Sequence, residues 1–437
     1  MFGKSGKSPA ARRISFSLAL AATGVLALGA CGGGDSGGGN SDAAQSGNST
    51  GPITYVQGKD NSGIVQPAID KWNAAHPDQQ VTLKEQTDQA DQQHDDLVQN
   101  FQAENADYDV VSVDNIWTSE FAAKGWLQPL TGDYELDTSN LLEPTVQAET
   151  YNDTLYAAPT TSDGGLLYYR KDLVPTPPKS WDEMMSMCPI AQQNGIDCYA
   201  GQFAQYEGLT VNTAEAINTF GGSILSEDGK TATLDTPEAK AGLEALVEGF
   251  QDGNIPRQAI TYQEEQGRQS FEDGKLMFLR NWPYVYSLAK TDGSSTVKDT
   301  FGVAPLPGNG DGKPGASSLG GHAAGISVYS DHKETAFEFV KFLQSEEIQR
   351  DWLTQGSAAP VISSLYDDAA LVEQFPYLPE LKTSIENAVP RPVTPFYPAV
   401  TKAIQDNAFA ALSGSKDTDT ALSDMQKSVQ NAIAGGQ

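Results

Sequence analysis

The chain has 437 residues, in which 57 Asp and Glu oppose 28 Lys and Arg, so that its formal net charge is −29. This acidity argues against nucleic acid as a partner and against electrostatic adhesion to anionic lipid. Apolar residues make up 39% of the chain, including 16 Phe, 16 Tyr and 6 Trp, which is enough to build proper hydrophobic cores.

The first 30 residues have the parts of an export signal. Basic residues at positions 4, 7, 12 and 13 precede an apolar run over 16–28, and small residues lead to Cys31. This run of about 13 residues is too short to cross a hydrocarbon core, which needs about 20 residues in a helix. We therefore predict a cleaved signal peptide over residues 1–30. Export through a twin-arginine route at Arg12-Arg13 stays an open alternative.

Leu28-Gly29-Ala30-Cys31 resembles the bacterial lipobox, in which the cysteine takes a diacylglycerol and becomes the mature amino terminus. The resemblance implies a lipoprotein, extracytoplasmic and held at the outer face of the cell membrane only through lipidated Cys31. A plain secreted protein is the alternative. Residues 31–52 are rich in Gly, Ser, Asn and Asp, which predicts a flexible tether. Its mean reach is about 25 Å.

The remainder of the chain, about 385 residues from Ile53 onward, exceeds the size at which a single core stops growing and predicts two domains. A mostly helical stretch over roughly 165–290 separates two strand-rich regions. The strand-like runs lie at 53–58, 80–86, 108–114, 301–308 and 323–330. Because the first three runs alternate with helical patterns, they predict a parallel sheet with crossover helices.

Polar residues follow two strands of this predicted sheet. Ligands gather beyond the carboxyl ends of parallel strands, and Asp60 and Asp114 lie at such ends, with Trp117 shortly after the second. Asn61 or Ser62 is the expected cap of the first helix.

Cys188 and Cys198 have nine residues between them, including Pro, Asn and Gly that turn the chain. In an exported protein two such cysteines form a disulfide more often than a metal site. We predict a local disulfide.

Catalytic motifs give little support for an enzyme. The chain has neither Gly-x-Ser-x-Gly nor His-Glu-x-x-His, and its four histidines are scattered at positions 76, 94, 322 and 332. No cofactor or metal is expected. The many acidic residues leave a lipid-anchored glycoside hydrolase open as an alternative, since that chemistry needs only two opposed carboxylates.

Several loops place polar residues beside aromatic ones, as in "VDNIW", "QYEG", "RNWPYVY", "GGHAAG" and "RPVTPFY". A sugar offers an apolar face of C–H groups and a rim of hydroxyls, so its receptor needs flat rings, carboxylates and arginine. The clusters together favour a sugar-binding protein. A receptor for a peptide or an anion is the other alternative, although an anion site would favour cations over these acids.

These segments, in this order after a lipobox, resemble the carbohydrate-binding receptors of bacterial ABC importers. The likeness runs from Ile53 to the carboxyl end and includes "DVVSVDNIWTSEFAAKGWLQPL", "YAAPTTSDGGLLYYRKDLV" and "AFEFVKFLQSEEIQRDW". The trehalose/maltose-type receptors are the most similar subgroup. The resemblance implies an α/β fold of the periplasmic-binding-protein type, with two lobes, hinge strands and a ligand cleft between them. It places the N-terminal lobe at 53–158 plus 292–347 and the C-terminal lobe at 159–291 plus 348–437.

The resemblance also implies a non-catalytic receptor that closes on a disaccharide and delivers it to the permease subunits of the importer. Carried over by position, the expected ligand-binding residues are Asp60, Asp114, Trp117, Asp163, Tyr206, Glu207, Trp282, Tyr284, Gly320, Gly321, His322 and Arg391. His322 stands where relatives often have Trp, which leaves the identity of the sugar open.

Three of these residues have structural alternatives. The alternative for Trp282 is a place in the hydrophobic core, because tryptophan side chains are buried in cores more often than they bind a ligand. The alternative for Arg391 is an ion pair between the lobes. The alternative for Asp114 is to cap the turn that follows it.

Overall fold

The computed structural model describes residues 49–435. The predicted signal peptide, Cys31 and all of the tether before Ser49 therefore lie outside the described residues. In this described range, none of the helices combines the length and the apolar character needed to cross a membrane.

Strands and helices alternate along the described chain. The strands are β1 Ile53–Gln57, β2 Val81–Glu85, β3 Val110–Asp114, β4 Thr150–Tyr151, β5 Thr154–Leu155, β6 Ala157–Pro159, β7 Leu166–Arg170, β8 Asp197–Ala200, β9 Leu276–Asn281, β10 Phe301–Pro305 and β11 His322–Ile326. The helices are α1 Val65–Ala75, α2 Ala90–Gln102, α3 Thr118–Ala123, α4 Glu143–Ala148, α5 Trp181–Gln193, α6 Glu207–Thr219, α7 Pro237–Gln251, α8 Glu264–Glu272, α9 Val285–Thr291, α10 Lys333–Leu343, α11 Glu346–Gly356, α12 Ala369–Gln374, α13 Leu378–Glu386, α14 Tyr397–Leu412 and α15 Thr418–Ala434. Short 3₁₀ turns occupy Gly132–Tyr134, Arg257–Thr261 and Ser363–Asp367.

The first lobe is built on a five-stranded sheet in the order β2-β1-β3-β11-β6. β1 pairs in parallel with both β2 and β3, which confirms the parallel sheet predicted for the first three strands. β11 then runs antiparallel to β3 and β6. Its first residue, His322, consequently lies at the same edge of the sheet as Asp114, the last residue of β3.

Successive side chains of these strands point to opposite faces, and both faces are covered. Tyr55 packs in the cluster formed with α1, α10 and α11. Its neighbour Val56 belongs to the opposite cluster, with Leu97 and Phe101 of α2. Burial on both faces explains why β1 and β3 read as almost continuous apolar runs.

The second lobe is built on a four-stranded sheet in the order β10-β7-β9-β8. One large hydrophobic cluster joins this sheet to α5, α6, α7, α14 and α15. The Cys188–Cys198 disulfide is present, with a Cα–Cα distance of 5.1 Å. It links α5 to β8, so it ties a helix to an edge strand rather than closing a free loop.

One part of the expected lobe division needs correction. The division puts residues 292–347 in the first lobe, but β10 pairs antiparallel with β7 and extends the second sheet. An apolar run predicts a strand without indicating which distant strand it will pair with, and here the partner lies more than 130 positions earlier. The other boundaries, at 53–158, 159–291 and 348–437, stay predictions.

Several crossing segments lie side by side between the lobes. Asp163 and Gly320 exchange two backbone hydrogen bonds, with N···O distances of 3.2 and 2.8 Å. The amide of Ser162 donates to the Ala359 carbonyl at 3.0 Å, and Ser318 forms a parallel bridge with Val389. These contacts make a narrow hinge below the cleft. The expected α/β fold with two lobes, hinge segments and an intervening cleft is confirmed.

Candidate ligand-binding cleft

A cleft of about 320 Å³ lies where the two sheets present their strand ends to each other. The turn after β1 and the end of β3 line it from the first lobe, and the residues after β9 and at the start of α6 line it from the second. The expected site residues that line it are Asp60, Asp114, Asp163, Tyr206, Glu207, Trp282, Tyr284, Gly320, Gly321, His322 and Arg391.

Trp117 does not line this cleft, which corrects the expectation for that residue. Its side chain is 4% exposed, and its ring lies 5.6 Å from His94 and 6.3 Å from Phe121. The backbone turns into α3 at this position, which carries the ring into the core beneath the cleft. A position shortly after a strand end therefore did not distinguish a core ring from a ligand-stacking one.

Asp60 lines the cleft, but its carboxylate is occupied by the backbone. It accepts hydrogen bonds from the amides of Ser62, Gly63 and Val65 at 3.0, 2.9 and 2.8 Å. The sequence suggested Asn61 or Ser62 as the cap of α1, but Asp60 caps its start instead. Few lone pairs of this carboxylate remain for a ligand.

Arg391 lies at the floor of the cleft and joins the two lobes. Its Nη2 donates to Asp114 Oδ1 at 2.9 Å and to Asn115 Oδ1 at 3.0 Å. Its Nη1 donates to Glu207 Oε1 at 2.7 Å. With a side chain that is 2% exposed, Arg391 makes the interlobe ion pair that was the structural alternative to ligand binding. Asp114 makes only a long contact, 3.4 Å, to the Ile116 amide, so capping is a minor role.

The ring of Trp282 forms part of the cleft wall on the second lobe, half-buried. The guanidinium carbon of Arg280 lies 3.8 Å from the centre of this ring. Arg280 is held by Glu215 and by Gln202 Oε1, the latter at 3.0 Å from Nη1. A buried ion pair therefore supports the ring from below and fixes its plane.

Gly320 and Gly321 bring the backbone of the hinge to the cleft floor. A Cβ on Gly320 would lie 2.9 Å from the Trp282 ring, so only glycine lets the ring lie this close. Gly321 has φ +111°, and a Cβ there would collide with the Thr161 carbonyl. Both positions need glycine for the approach of other protein groups.

His322 and Asp163 both line the cleft. The His322 backbone is held by Thr160 and Thr161, while its side chain is solvent-exposed within the cleft. Enclosure by the cleft walls lowers the pKa of His322. Burial raises the pKa of Asp163 to about 7, and the charge of Asp114 adds to this effect.

Tyr206 and Glu207 mark the start of α6. The helix begins at Glu207, directly after Tyr206, and so places both residues at the cleft. Burial is the main cause that raises the pKa of Tyr206, and the neighbouring Glu264 carboxyl adds to it. Tyr284 lies opposite and donates its hydroxyl to Glu265 Oε1 at 2.7 Å.

Sequence reasoning missed other residues that line the cleft, including Lys59, Asp88, Gln93, Glu264 and Glu265. The two glutamates open α8 and read in sequence as ordinary first-turn acids that favour the helix dipole. Only the folded arrangement of α8 next to Trp282 and Tyr284 brings them to the site.

Two α/β lobes, joined by crossing segments and separated by a polar and aromatic cleft, define a two-lobe binding protein. The chain belongs to the family of bacterial extracellular solute-binding proteins, whose model matches residues 55–350. Proteins of this family are receptors and not enzymes.

Individual relatives agree with this assignment. The chain is 31% identical to a probable ABC transporter-binding protein of Deinococcus radiodurans over 68% of this chain and 72% of the relative. It is 34% identical to maltose-bound MalE3 of T. maritima, with a TM-score of 0.82, over 87% of this chain and 99% of that one. A solute-binding protein of Thermotoga lettingae bound with α-D-tagatose is 23% identical, with a TM-score of 0.79, over 88% and 100% of the two chains, and shares the fold.

Proposed function

We propose that this chain is the lipid-anchored substrate-binding receptor of an ABC sugar importer. It captures an oligosaccharide, a disaccharide of the maltose or trehalose type, when its lobes close, and it delivers the sugar to the permease subunits. The name of the Deinococcus radiodurans relative supports the role in an ABC importer. The name of the maltose-bound structure supports a sugar ligand.

The observation that carries the proposal is the Trp282 ring, flanked by Arg280 and forming part of the cleft wall. A pyranose presents a flat face of C–H groups to such a ring. Asp163 and Arg391 line the same cleft and offer an acceptor and a donor for the hydroxyls. Buried polar groups of this kind select a ligand that pairs with them, because an unmatched hydroxyl costs free energy.

The charge and size of the cleft favour a small neutral ligand. Among the described residues, seven carboxylates line it against two cationic side chains, Lys59 and Arg391, and Arg391 is already paired with Asp114 and Glu207. An anion would therefore meet net repulsion. The volume of about 320 Å³ lies at the lower end of the range for small-molecule sites, about 300–1,000 Å³.

Lipidation at Cys31 would keep the receptor near its permease, with residues 31–52 as the tether. Metabolic labelling with a radioactive fatty acid tests this part. We expect label in the full-length chain and none in Cys31→Ser. Label retained in that variant would contradict the anchor.

Titration calorimetry with maltose, trehalose and tagatose tests the binding function, with the sugars analysed afterwards for products. We expect saturable binding of a disaccharide without hydrolysis. Trp282→Ala should weaken that binding by about tenfold or more, while Trp282→Phe, which keeps a ring, serves as the matched control. Product release would favour a hydrolase, and an unchanged affinity of Trp282→Ala would refute the site.

A further inference from the structure

Glu207 is expected from the sequence to face the ligand, but its carboxylate is hydrogen-bonded to protein groups instead. Oε1 accepts hydrogen bonds from Arg391 Nη1 and from the hydroxyl of Tyr397. Oε2 accepts from Thr401 Oγ1 at 2.6 Å. A carboxylate has about four lone-pair positions, so three of those of Glu207 are occupied before any ligand arrives.

The residues that hold Glu207 are themselves fixed. Thr401 Oγ1 lies 2.7 Å from Thr210 Oγ1 and accepts from Gln405 Nε2 at 3.1 Å. Tyr397 is 1% exposed, and its ring belongs to the hydrophobic cluster of the first lobe that contains Trp117. Tyr397 therefore holds the Glu207 carboxylate from α14 while its own ring is packed against the first lobe.

Arg391 has one N–H group, at Nε, that the described part of the protein does not pair. Its two Nη atoms are occupied, whereas its Nε is buried and has no hydrogen-bond partner among the described residues. A buried guanidinium N–H without an acceptor is costly, and Arg391 lines the cleft.

We propose that Glu207 and Tyr397 are positioning residues, which hold the Arg391 guanidinium so that its Nε is presented to a ligand oxygen in the cleft. This inference rests on the proposed function for the nature of the ligand. It assigns to Tyr397, which does not line the cleft, an effect on binding that acts through Glu207 and then Arg391. Asp114 holds the other side of the guanidinium only when the lobes are together, because it belongs to the first lobe.

Titration of Glu207 supplies a readout that packing alone does not move. The pKa of Glu207 is raised to about 7, chiefly by burial and also by the charge of Asp114, while Arg391, Thr401 and Tyr397 oppose the rise by favouring the ionised form. Asp91, whose Oδ1 accepts from the Glu207 amide at 3.2 Å, is a further charged group in contact.

The experiment follows Glu207 in the unliganded full-length protein by ¹³C NMR of δ-carbon-labelled glutamate, with Glu207→Gln used to assign the signal. In Tyr397→Phe the midpoint should rise by about half a unit to one unit, because one donor to the carboxylate is lost. Affinity for the best sugar at pH 7 should fall by about threefold to tenfold in the same variant.

Tyr366→Phe is the matched control, because Tyr366 is 2% exposed and donates its hydroxyl to the Pro360 carbonyl at 2.8 Å, away from Glu207. It should leave the Glu207 midpoint unchanged. An unchanged midpoint in Tyr397→Phe, or an equal change in both variants, would overturn the inference. If the parent protein binds no sugar, the proposed function fails, while the NMR titration still decides the role of Tyr397.

Discussion

The guanidinium carbon of Arg280 lies 3.8 Å from the centre of the Trp282 ring. The two residues are only two positions apart, yet their side chains end in different environments. Arg280 ends inside the second lobe, where it is 1% exposed and pairs with Glu215. The strand β9 ends between them, so the chain buries the charge and leaves the ring at the cleft. The ion pair is therefore structural, and the ring that it supports is available to a ligand.

Replacing Arg280 should lower the free energy of unfolding by more than the loss of its own contacts accounts for. In Arg280→Met the Glu215 carboxylate stays buried without its partner, so the free energy of unfolding should fall by about 3–5 kcal/mol. Urea denaturation measures this loss. Adding Glu215→Leu removes the unpaired charge, and the double variant should regain much of the stability. A single variant as stable as the parent would show that the pair is not a buried ion pair in solution.

Local patterns predicted the strands of the first lobe well. Runs at 53–58 and 80–86 correspond to β1 and β2 within one residue at each end. The first is an apolar run and the second alternates between apolar and polar residues, and both patterns are typical of strands. The lobe assignment of β10 was wrong for the opposite reason. Its pairing with β7 depends on the path of the whole chain and not on its own residues.

The candidate site could be predicted only in part. Trp282 and Gly320 stand in loops whose polar and aromatic mixture marks them in sequence. Trp117 has the same kind of neighbourhood, yet it packs on Phe121, and no local feature separates the two tryptophans. Glu264 was missed because a helix-opening acid needs no ligand to explain it.

The carboxylate of Asp60 should contribute to stability more than to binding. Asp60→Ala removes the acceptor of the Val65 amide, the first of α1, and of two amides in the turn before it, which should cost about 1–2 kcal/mol. Asp60→Asn keeps a side-chain oxygen and should lose less. Chemical denaturation measures both variants, and the sugar affinity of the folded proteins is the comparison. A large loss of affinity in Asp60→Asn, with stability retained, would contradict the capping role.

Gly321 should tolerate no side chain, for two separable reasons. Its φ of +111° disfavours an L residue, and a Cβ would collide with the Thr161 carbonyl. Gly321→Ala should therefore lose more stability than Gly310→Ala, in which φ is +97° but nothing lies within 4 Å of the added Cβ. Backbone strain of this kind alone costs about 1–3 kcal/mol. Thermal unfolding of the two variants measures the difference, and equal losses would mean that the collision is relieved by a small shift.

Glu149 should make the protein less stable as the pH rises. Its carboxyl is 2% exposed and accepts a hydrogen bond from Thr118, and burial raises its pKa to about 8, with Asp114 adding to the effect. Between the ordinary glutamate pKa and pH 8 the folded state holds a proton that the unfolded state has released, so stability falls across this window.

The variant Glu149→Gln keeps an acceptor for Thr118 and has nothing to ionise. From pH 5 to pH 8 it should lose less stability than the parent, by on the order of 3 kcal/mol. Asp163 and Glu207, whose pKa values are also raised to about 7, weaken the parent over the same range and remain in the variant, so the difference between the two isolates Glu149. Denaturation by urea at both pH values measures it. Glu143→Gln, an exposed change on α4, should follow the parent, and a Glu149→Gln profile parallel to the parent would show that Glu149 is ionised in the folded protein.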